Sequence, residues 1–151
     1  MARAEFKPTK DVVACKLITA DYTNATTGLT ATLLSVPLIA YATYEIEAFL
    51  VGGRTADANG VVLQLLFSGT ATIEAVMTAA LTSAAGIVER IAAFSADTTA
   101  VLTTASQAGG ILIKGIVTTT VKGNLSISAK SPTAGTTTIR IGSFLKATRI
   151  D

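Results

Sequence analysis

The sequence contains neither histidine nor tryptophan, and Cys15 is its single cysteine. Without histidine, the Ser-His-Asp and Cys-His arrangements of nucleophilic catalysis and the usual zinc-binding spacings are excluded. A lone cysteine also excludes an intrachain disulfide, and we expect Cys15 to be a small buried side chain on the first strand. The composition therefore marks no catalytic, cofactor or metal site. We expect a protein that is not an enzyme and needs no cofactor.

Charged residues are scarce as well. They make up 15% of the 151 residues, with twelve basic and ten acidic side chains and a net charge of +2. No basic stripe is present, so we expect no nucleic-acid partner. No apolar run reaches the roughly 18 residues of a membrane-spanning helix, and residues 1–11 lack the apolar stretch of a secretory signal. We therefore expect no membrane partner and synthesis in a cytoplasm-like compartment.

The low charge has a second consequence. The surface of a soluble monomer typically carries roughly 25–35% charged residues. A surface that is poor in charge and rich in alanine and threonine is expected to be covered in part by copies of the same chain or by another protein.

Period-two alternation of apolar and polar residues dominates the last third of the chain. Threonine supplies about one residue in six, and β-branched side chains fit a pleated, half-buried surface. Strands are predicted at residues 110–121, 125–130, 137–141 and 144–150, separated by 122–124 and by a turn at 131–135. We interpret this region as an antiparallel meander with one solvent-facing side.

Further strands are predicted from local patterns along the rest of the chain. They lie at residues 12–19, 29–35, 44–51 and 61–67, the last almost continuously apolar, as expected of a strand buried on both faces. Residues 21–28 read as a polar loop, and Pro37 marks a strand start or an edge strand. Residues 73–77 and 87–94 fit either strand or helix. We favour strands there, irregular structure or a short helix at 78–85, and one brief strand at 100–104.

About nine strands predict an all-β fold. We expect a two-sheet antiparallel β-sandwich of jelly-roll type, formed as one domain by residues 12–151. Residues 1–11 precede it as an extended arm with too little apolar surface to fold alone. The arm is either a frayed terminus or a strap that orders on a neighbour. For the strap, the expected docking residues are Arg3, Phe6 and Lys7.

Glu45 and Glu47 are two residues apart on a predicted strand and therefore share a face. An acid–base pair or a metal site could use this geometry. No histidine or third clustered carboxylate accompanies them, so we interpret them as solvated residues or as partners of Lys and Arg. An enzyme with an unmarked site of scattered carboxylates and lysines is the disfavoured alternative.

Three segments resemble a pattern in small virion structural proteins of tailed bacteriophages. They are residues 44–50, residues 110–117 and residues 138–150, the last containing the run Gly-Ser-Phe-Leu-Lys-Ala-Thr-Arg-Ile. In that group similar strands recur in jelly-roll or TNF-like sandwiches. The similarity covers roughly residues 29–150 and is loosest over 72–105. It implies a structural component of a virion, and such proteins are commonly trimers.

The expected function is therefore that of a capsid decoration, or cement, protein. Homotrimers would bind the major capsid protein on the outer shell of the virion and stabilise it, after assembly in the host cytoplasm. The alternative is a tail fibre or spike tip that recognises the host surface through loops at residues 52–60 and 95–110. The sparse aromatic residues argue mildly against a sugar-binding face.

Overall fold

A computed structural model describes residues 12–29, 34–54, 60–79, 87–98, 100, 108–133 and 135–151. Within these ranges the chain forms strands and no helix, so no helix there could cross a membrane. The all-β expectation is confirmed. The strands are β1 (Val12–Leu17), β2 (Tyr22–Asn24), β3 (Leu34–Leu38), β4 (Ala42–Arg54), β5 (Val62–Phe67), β6 (Thr70–Ala79), β7 (Ile87–Ile91), β8 (Ala108–Val121), β9 (Gly123–Lys130), β10 (Thr137–Ile139) and β11 (Phe144–Arg149).

The strands form two antiparallel sheets. The larger has the order β1-β11-β4-β8-β6-β7, with β10 between β4 and β2, and the smaller has the order β3-β9-β5. Residues 95–98 extend the smaller sheet, because the amides of Ser95 and Thr98 donate to the carbonyls of Leu65 and Leu63 at 2.8 and 3.0 Å. β3 at the edge of the smaller sheet lies against β1 and β11 of the larger one, so the order β1-β11-β4-β8 faces the order β3-β9-β5 followed by residues 95–98. The predicted antiparallel sandwich of jelly-roll type is confirmed.

The prediction that residues 110–150 form an antiparallel meander is wrong. β8 belongs to the larger sheet and β9 to the smaller, because the single residue Lys122 carries the chain from one sheet to the other. β11 pairs with β4 and β1 instead of β9. Alternation of apolar and polar residues identifies the two faces of a strand but does not determine which strand pairs with it.

The polar segment 21–28 contains β2, where a loop was predicted. β2 pairs with β10, and Asn24 is buried with its hydrogen bonds satisfied. Its amide donates to the carbonyls of Gly28 and Ala129, each at 3.0 Å, and its Oδ1 accepts from the amide of Thr26 at 2.8 Å. Tertiary pairing here overrides a composition that locally favours a turn.

The other predicted strands that fall on described residues are present, with ends shifted by a few residues. Pro37 lies in β3, an edge strand of the smaller sheet, as predicted. β5 is buried at Val62, Leu63 and Leu65 and only partly buried at the others, so full burial of both faces is not observed. Parts of three strand and loop predictions fall on residues outside the described ones, namely 30–33, 80–85 and 101–104.

The core lies between the two sheets and consists of alternate side chains from each. Burial of one such aliphatic side chain contributes roughly 1.5–3 kcal/mol. The largest fully buried side chains come from β3, β4, β5, β6, β8 and β9: Leu34, Tyr44, Ile46, Leu50, Leu63, Leu65, Met77, Ile111, Ile113, Leu125 and Ile127.

Polar contacts hold residues 95–98 on the smaller sheet. The hydroxyl of Thr98 accepts from the amide of Leu63 at 3.0 Å. The carboxylate of Asp97 accepts from the side-chain amide of Gln64 and lies 2.7 Å from Nζ of Lys130. The hydrogen bond from Lys130 lowers the pKa of Asp97 below its ordinary value. An ionised Asp97 therefore joins this segment to β5 and β9.

β6 and β8 approach each other closely at Gly115, which pairs with Ala75. A Cβ added at Gly115 would lie 2.4 Å from the Cβ of Ala75 and 2.4 Å from the carbonyl oxygen of Glu74. No side chain fits in this space, so Gly115 sets the distance between the two strands.

The variant Gly115→Ala is expected to lower the free energy of unfolding by about 1–3 kcal/mol, because the two strands must separate to admit the methyl group. Urea unfolding measures this difference. Gly28→Ala is the control, since the nearest atom to its added Cβ is Oγ1 of Thr26 at 3.9 Å. The control should stay within about 0.5 kcal/mol of the original chain. Equal losses in the two variants would contradict the close approach.

Candidate interaction surfaces

The docking residues expected from the sequence, Arg3, Phe6 and Lys7, lie outside the described residues together with the rest of residues 1–11. The structure describes where that segment joins the sandwich. Val12 pairs with Thr148 of β11, so residues 1–11 start from an edge strand of the larger sheet.

The face of the larger sheet that points away from the core is called the outer face here. It is formed by the residues of β4, β6, β7, β8 and β11 that alternate with core residues. Its charged members are three acidic and three basic side chains, and its apolar members include two phenylalanines. The charged members are Glu45, Glu47, Glu74, Arg90, Lys114 and Lys146, and the apolar members include Phe49, Val76, Val88, Leu112, Ile116 and Phe144.

Glu45 and Glu47 lie on the outer face, as predicted. Oε1 of Glu47 is 3.5 Å from Nζ of Lys114, and Lys146 stands opposite Glu47 on β11. A depression of about 60 Å³ is lined by Glu45, Glu47, Lys146 and Thr148. The interpretation of Glu47 as a partner of lysine is confirmed. Across the described ranges, no group of three Cys, Asp or Glu side chains could hold a metal ion.

Glu74 and Arg90 form a second ion pair on the outer face. Nη2 of Arg90 lies 2.7 Å from Oε1 of Glu74, and its Nε donates to Oε2 at 3.0 Å. Both side chains are well exposed, so the pair contributes less than about 1 kcal/mol to stability. The pair matters more for the charge of the outer face, because the two groups neutralise each other.

A row of apolar side chains crosses the same face. Phe144, Phe49 and Leu112 are opposite one another on β11, β4 and β8, and the two phenylalanine ring centroids are 6.4 Å apart. A Cβ added at Gly110 would lie 2.8 Å from the ring of Phe49, so this glycine makes room for the ring. Beyond Leu112 the register passes through Thr78 of β6 to Val88 of β7, which is 70% exposed.

A shallow groove lies between β6 and β8 on the outer face. It has a volume of about 340 Å³ and is lined by the side chains of Glu74, Val76, Arg90 and Lys114 and by the backbone near Gly115. Val76 is 45% exposed and Ile116 is 39% exposed. Exposed aliphatic groups between paired charges are typical of a surface that contacts protein.

The outer face was not predicted from the sequence. The available signal was that β8 carries Leu112 and Ile116 on the face opposite to its core residues, where a solvated strand would be polar. Which side chains lie beside these two depends on strand register, which places Ile116 opposite both Glu45 and Glu74.

No protein-family model matches this sequence, and no curated protein is significantly similar to it. Several solved structures show a distant likeness. One is a lipoprotein from Bacteroides thetaiotaomicron, with 9% sequence identity and a TM-score of 0.33. The match covers 98% of this chain and 92% of the lipoprotein chain. Another is the VP2 subviral particle of infectious bursal disease virus, with 11% sequence identity and a TM-score of 0.25. The match covers 100% of this chain and 46% of the VP2 chain. This chain spans less than half of that viral protein, and similarity at this level indicates no function.

Proposed function

We propose that this chain is a non-catalytic structural protein of a bacteriophage virion, and more specifically a capsid decoration protein. Trimers bind the major capsid protein on the outer surface of the capsid and stabilise the shell. The observation that carries the proposal is the outer face, where apolar side chains lie among three acidic and three basic ones. Such a face suits contact with protein.

The charges of the outer face favour contact between copies of the chain. Burying a lone charge is costly, whereas a charge that is already paired can be covered with a smaller loss of solvation. Glu74 pairs with Arg90, and Glu47 pairs with Lys114, within one chain. A second copy can therefore cover the apolar row without leaving these four groups unpaired.

The segments that resemble phage virion proteins also support the proposal. They fall in β4, in β8 and in β10 and β11, and β4 is a neighbour of the other three in the larger sheet. The Gly-Ser of the last segment has a structural role. Gly142 has φ +92°, and the buried hydroxyl of Ser143 accepts from the amide of Val51 at 2.9 Å and donates to the carbonyl of Arg140 at 2.8 Å. The resembling residues thus build the sheet on which the outer face lies.

Weak contacts are sufficient for a decoration protein. A trimer presents the same surface three times, so its contacts with a symmetric shell act together and the total affinity exceeds that of one contact. Each occupied position then adds to the free energy needed to separate neighbouring capsid subunits.

A tail fibre or spike tip is the second candidate. The end of β4 and the start of β8 are adjacent, since Gly53 pairs with Ala108. The chain therefore leaves β4 and enters β8 at one end of the sandwich. The two segments assigned to host recognition from the sequence, 52–60 and 95–110, both connect to that end.

Imaging of labelled protein on purified phage particles separates these two candidates. A decoration protein is expected over the whole head, in a saturable copy number set by the capsid lattice. Signal confined to the tail would contradict decoration and favour host recognition. Absence from particles would contradict both and return attention to an enzymatic role, tested by replacing Glu45 and Glu47.

Deletion of residues 1–11 is expected to weaken binding to purified heads and to leave the melting temperature unchanged, since the described strands begin at Val12. Phe6→Ala alone should weaken binding about tenfold, because it removes the apolar anchor of the strap. Co-sedimentation with heads measures the affinity. Thr9→Ala serves as the control in the same segment. Unchanged affinity after the deletion would remove the strap from the proposal.

Ile116→Lys is expected to weaken self-association at least about tenfold, because it places a charge in the contact that must be desolvated. The chain should still fold, since Ile116 lies opposite Glu45 on one side and Glu74 on the other. Sedimentation velocity over a concentration series gives the oligomeric state. Thr133→Lys adds the same charge at an exposed turn and should leave it unaltered. An unaltered oligomer in both variants would contradict a role for the outer face.

A further inference from the structure

Three large side chains are exposed at the end of the sandwich where β3 passes into β4 and β8 passes into β9. Tyr41 is 82% exposed, and Ile39 and Val121 are each 51% exposed. We call this surface, together with the groove described below, the tyrosine end. Aromatic residues are scarce in this chain, so an almost fully exposed one needs an explanation.

Two buried hydroxyl groups hold the loop that presents Tyr41. The hydroxyl of Thr119 donates to the carbonyl of Ile39 at 2.6 Å and accepts from the amide of Ala42 at 3.2 Å. The hydroxyl of Tyr44 accepts from the amide of Ile39 at 3.0 Å. Thr119 and Tyr44 are almost completely buried. The position of the loop is therefore set by the core strands β4 and β8.

Tyr41 has an unfavourable backbone conformation. Its φ is +54°, in the left-handed region where the Cβ of an L-residue lies too close to the following carbonyl oxygen. Glycine or asparagine would occupy this position at lower cost. A strained residue is retained where the surrounding structure enforces it, and such residues cluster at functional sites such as ligand clamps.

An apolar groove adjoins the loop. It has a volume of about 370 Å³ and is lined by Pro37, Leu38, Ile39, Lys122, Gly123 and Asn124. Its backbone is tightly packed, because a Cβ added at Gly123 would lie 2.4 Å from the amide nitrogen of Gly69. Lys122 is the charged member of the lining. The groove and the loop together present a firm apolar surface with one positive charge.

Val12, the first described residue, lies at this same end. Val12 pairs with Thr148, the neighbouring Arg149 pairs with Tyr44, and the amide of Thr43 donates to Oδ2 of Asp151 at 2.7 Å. Residues 1–11 can reach about 36 Å when extended. They carry three basic and two acidic side chains: Arg3, Lys7 and Lys10 against Glu5 and Asp11.

We propose that the tyrosine end is the surface by which the protein docks on the shell protein of the particle. This inference rests on the proposed decoration function and names its docking surface. The partner chemistry follows from the described residues: Tyr41 and Ile39 enter an apolar cleft on the shell, and a carboxylate beside that cleft attracts Lys122. The opposite end, where β4 ends at Arg54, then points away from the shell.

Tyr41→Asn tests the docking surface. Asparagine tolerates the left-handed conformation, so the variant is expected to fold with a melting temperature no lower than that of the original chain. Its binding to purified DNA-free heads should be weakened at least about tenfold, as for loss of a central aromatic contact. Ile141→Asn is the matched control. Ile141 is 60% exposed in the turn between β10 and β11, and its replacement should leave binding unchanged.

The outcomes separate the inference from the function on which it rests. If the original chain does not bind heads, the proposed function fails and the docking surface fails with it. If the original chain binds heads and Tyr41→Asn binds equally well, the docking surface is overturned and the proposed function stands. If Tyr41→Asn loses self-association in sedimentation velocity, the tyrosine end is a contact between copies, and the inference is again overturned.

Discussion

The antiparallel pairing of β4 with β8 determines which side chains of this protein face the core and which face solvent. The two strands are in register over twelve residue pairs, from Ala42 opposite Thr119 to Gly53 opposite Ala108. A shift by one residue would exchange the two faces and place Glu45 and Glu47 in the core. The outer face and the sandwich core are therefore two results of one alignment.

The same pairing connects the two surfaces of this protein that expose apolar groups. In its middle, it places Leu112 beside Phe49 and Lys114 beside Glu47, which forms the centre of the outer face. At its end, it brings Thr119 beside Ala42, where the threonine hydroxyl holds the loop of Tyr41. The outer face is broad and balanced in charge, whereas the tyrosine end is narrow and strained. Under the proposed function, the first suits contact between identical copies and the second suits a different partner.

The sequence predicted most strands because alternation identifies the faces of a strand directly. β4, β8 and β11 were recognised in this way, as was the edge position of Pro37. The sequence did not predict which strands pair, because Lys114 and Glu47 are far apart in the chain and period two does not encode register. It also missed Tyr41. Residues 39–41 contain no glycine, proline or asparagine, so no turn signal is present, and the loop owes its shape to Thr119 and Tyr44.

The way the Tyr41 loop is held bears on how tightly a partner can bind. A loop that satisfied its own backbone groups could change conformation independently of the sandwich, and a partner would have to order it. Here the carbonyl and amide of Ile39 are bonded to hydroxyls of two core strands, so moving the loop would leave buried polar groups without partners. The loop is ordered before any contact forms. More of the free energy of that contact is then available as affinity, which matters most when each contact is small and is repeated over a lattice.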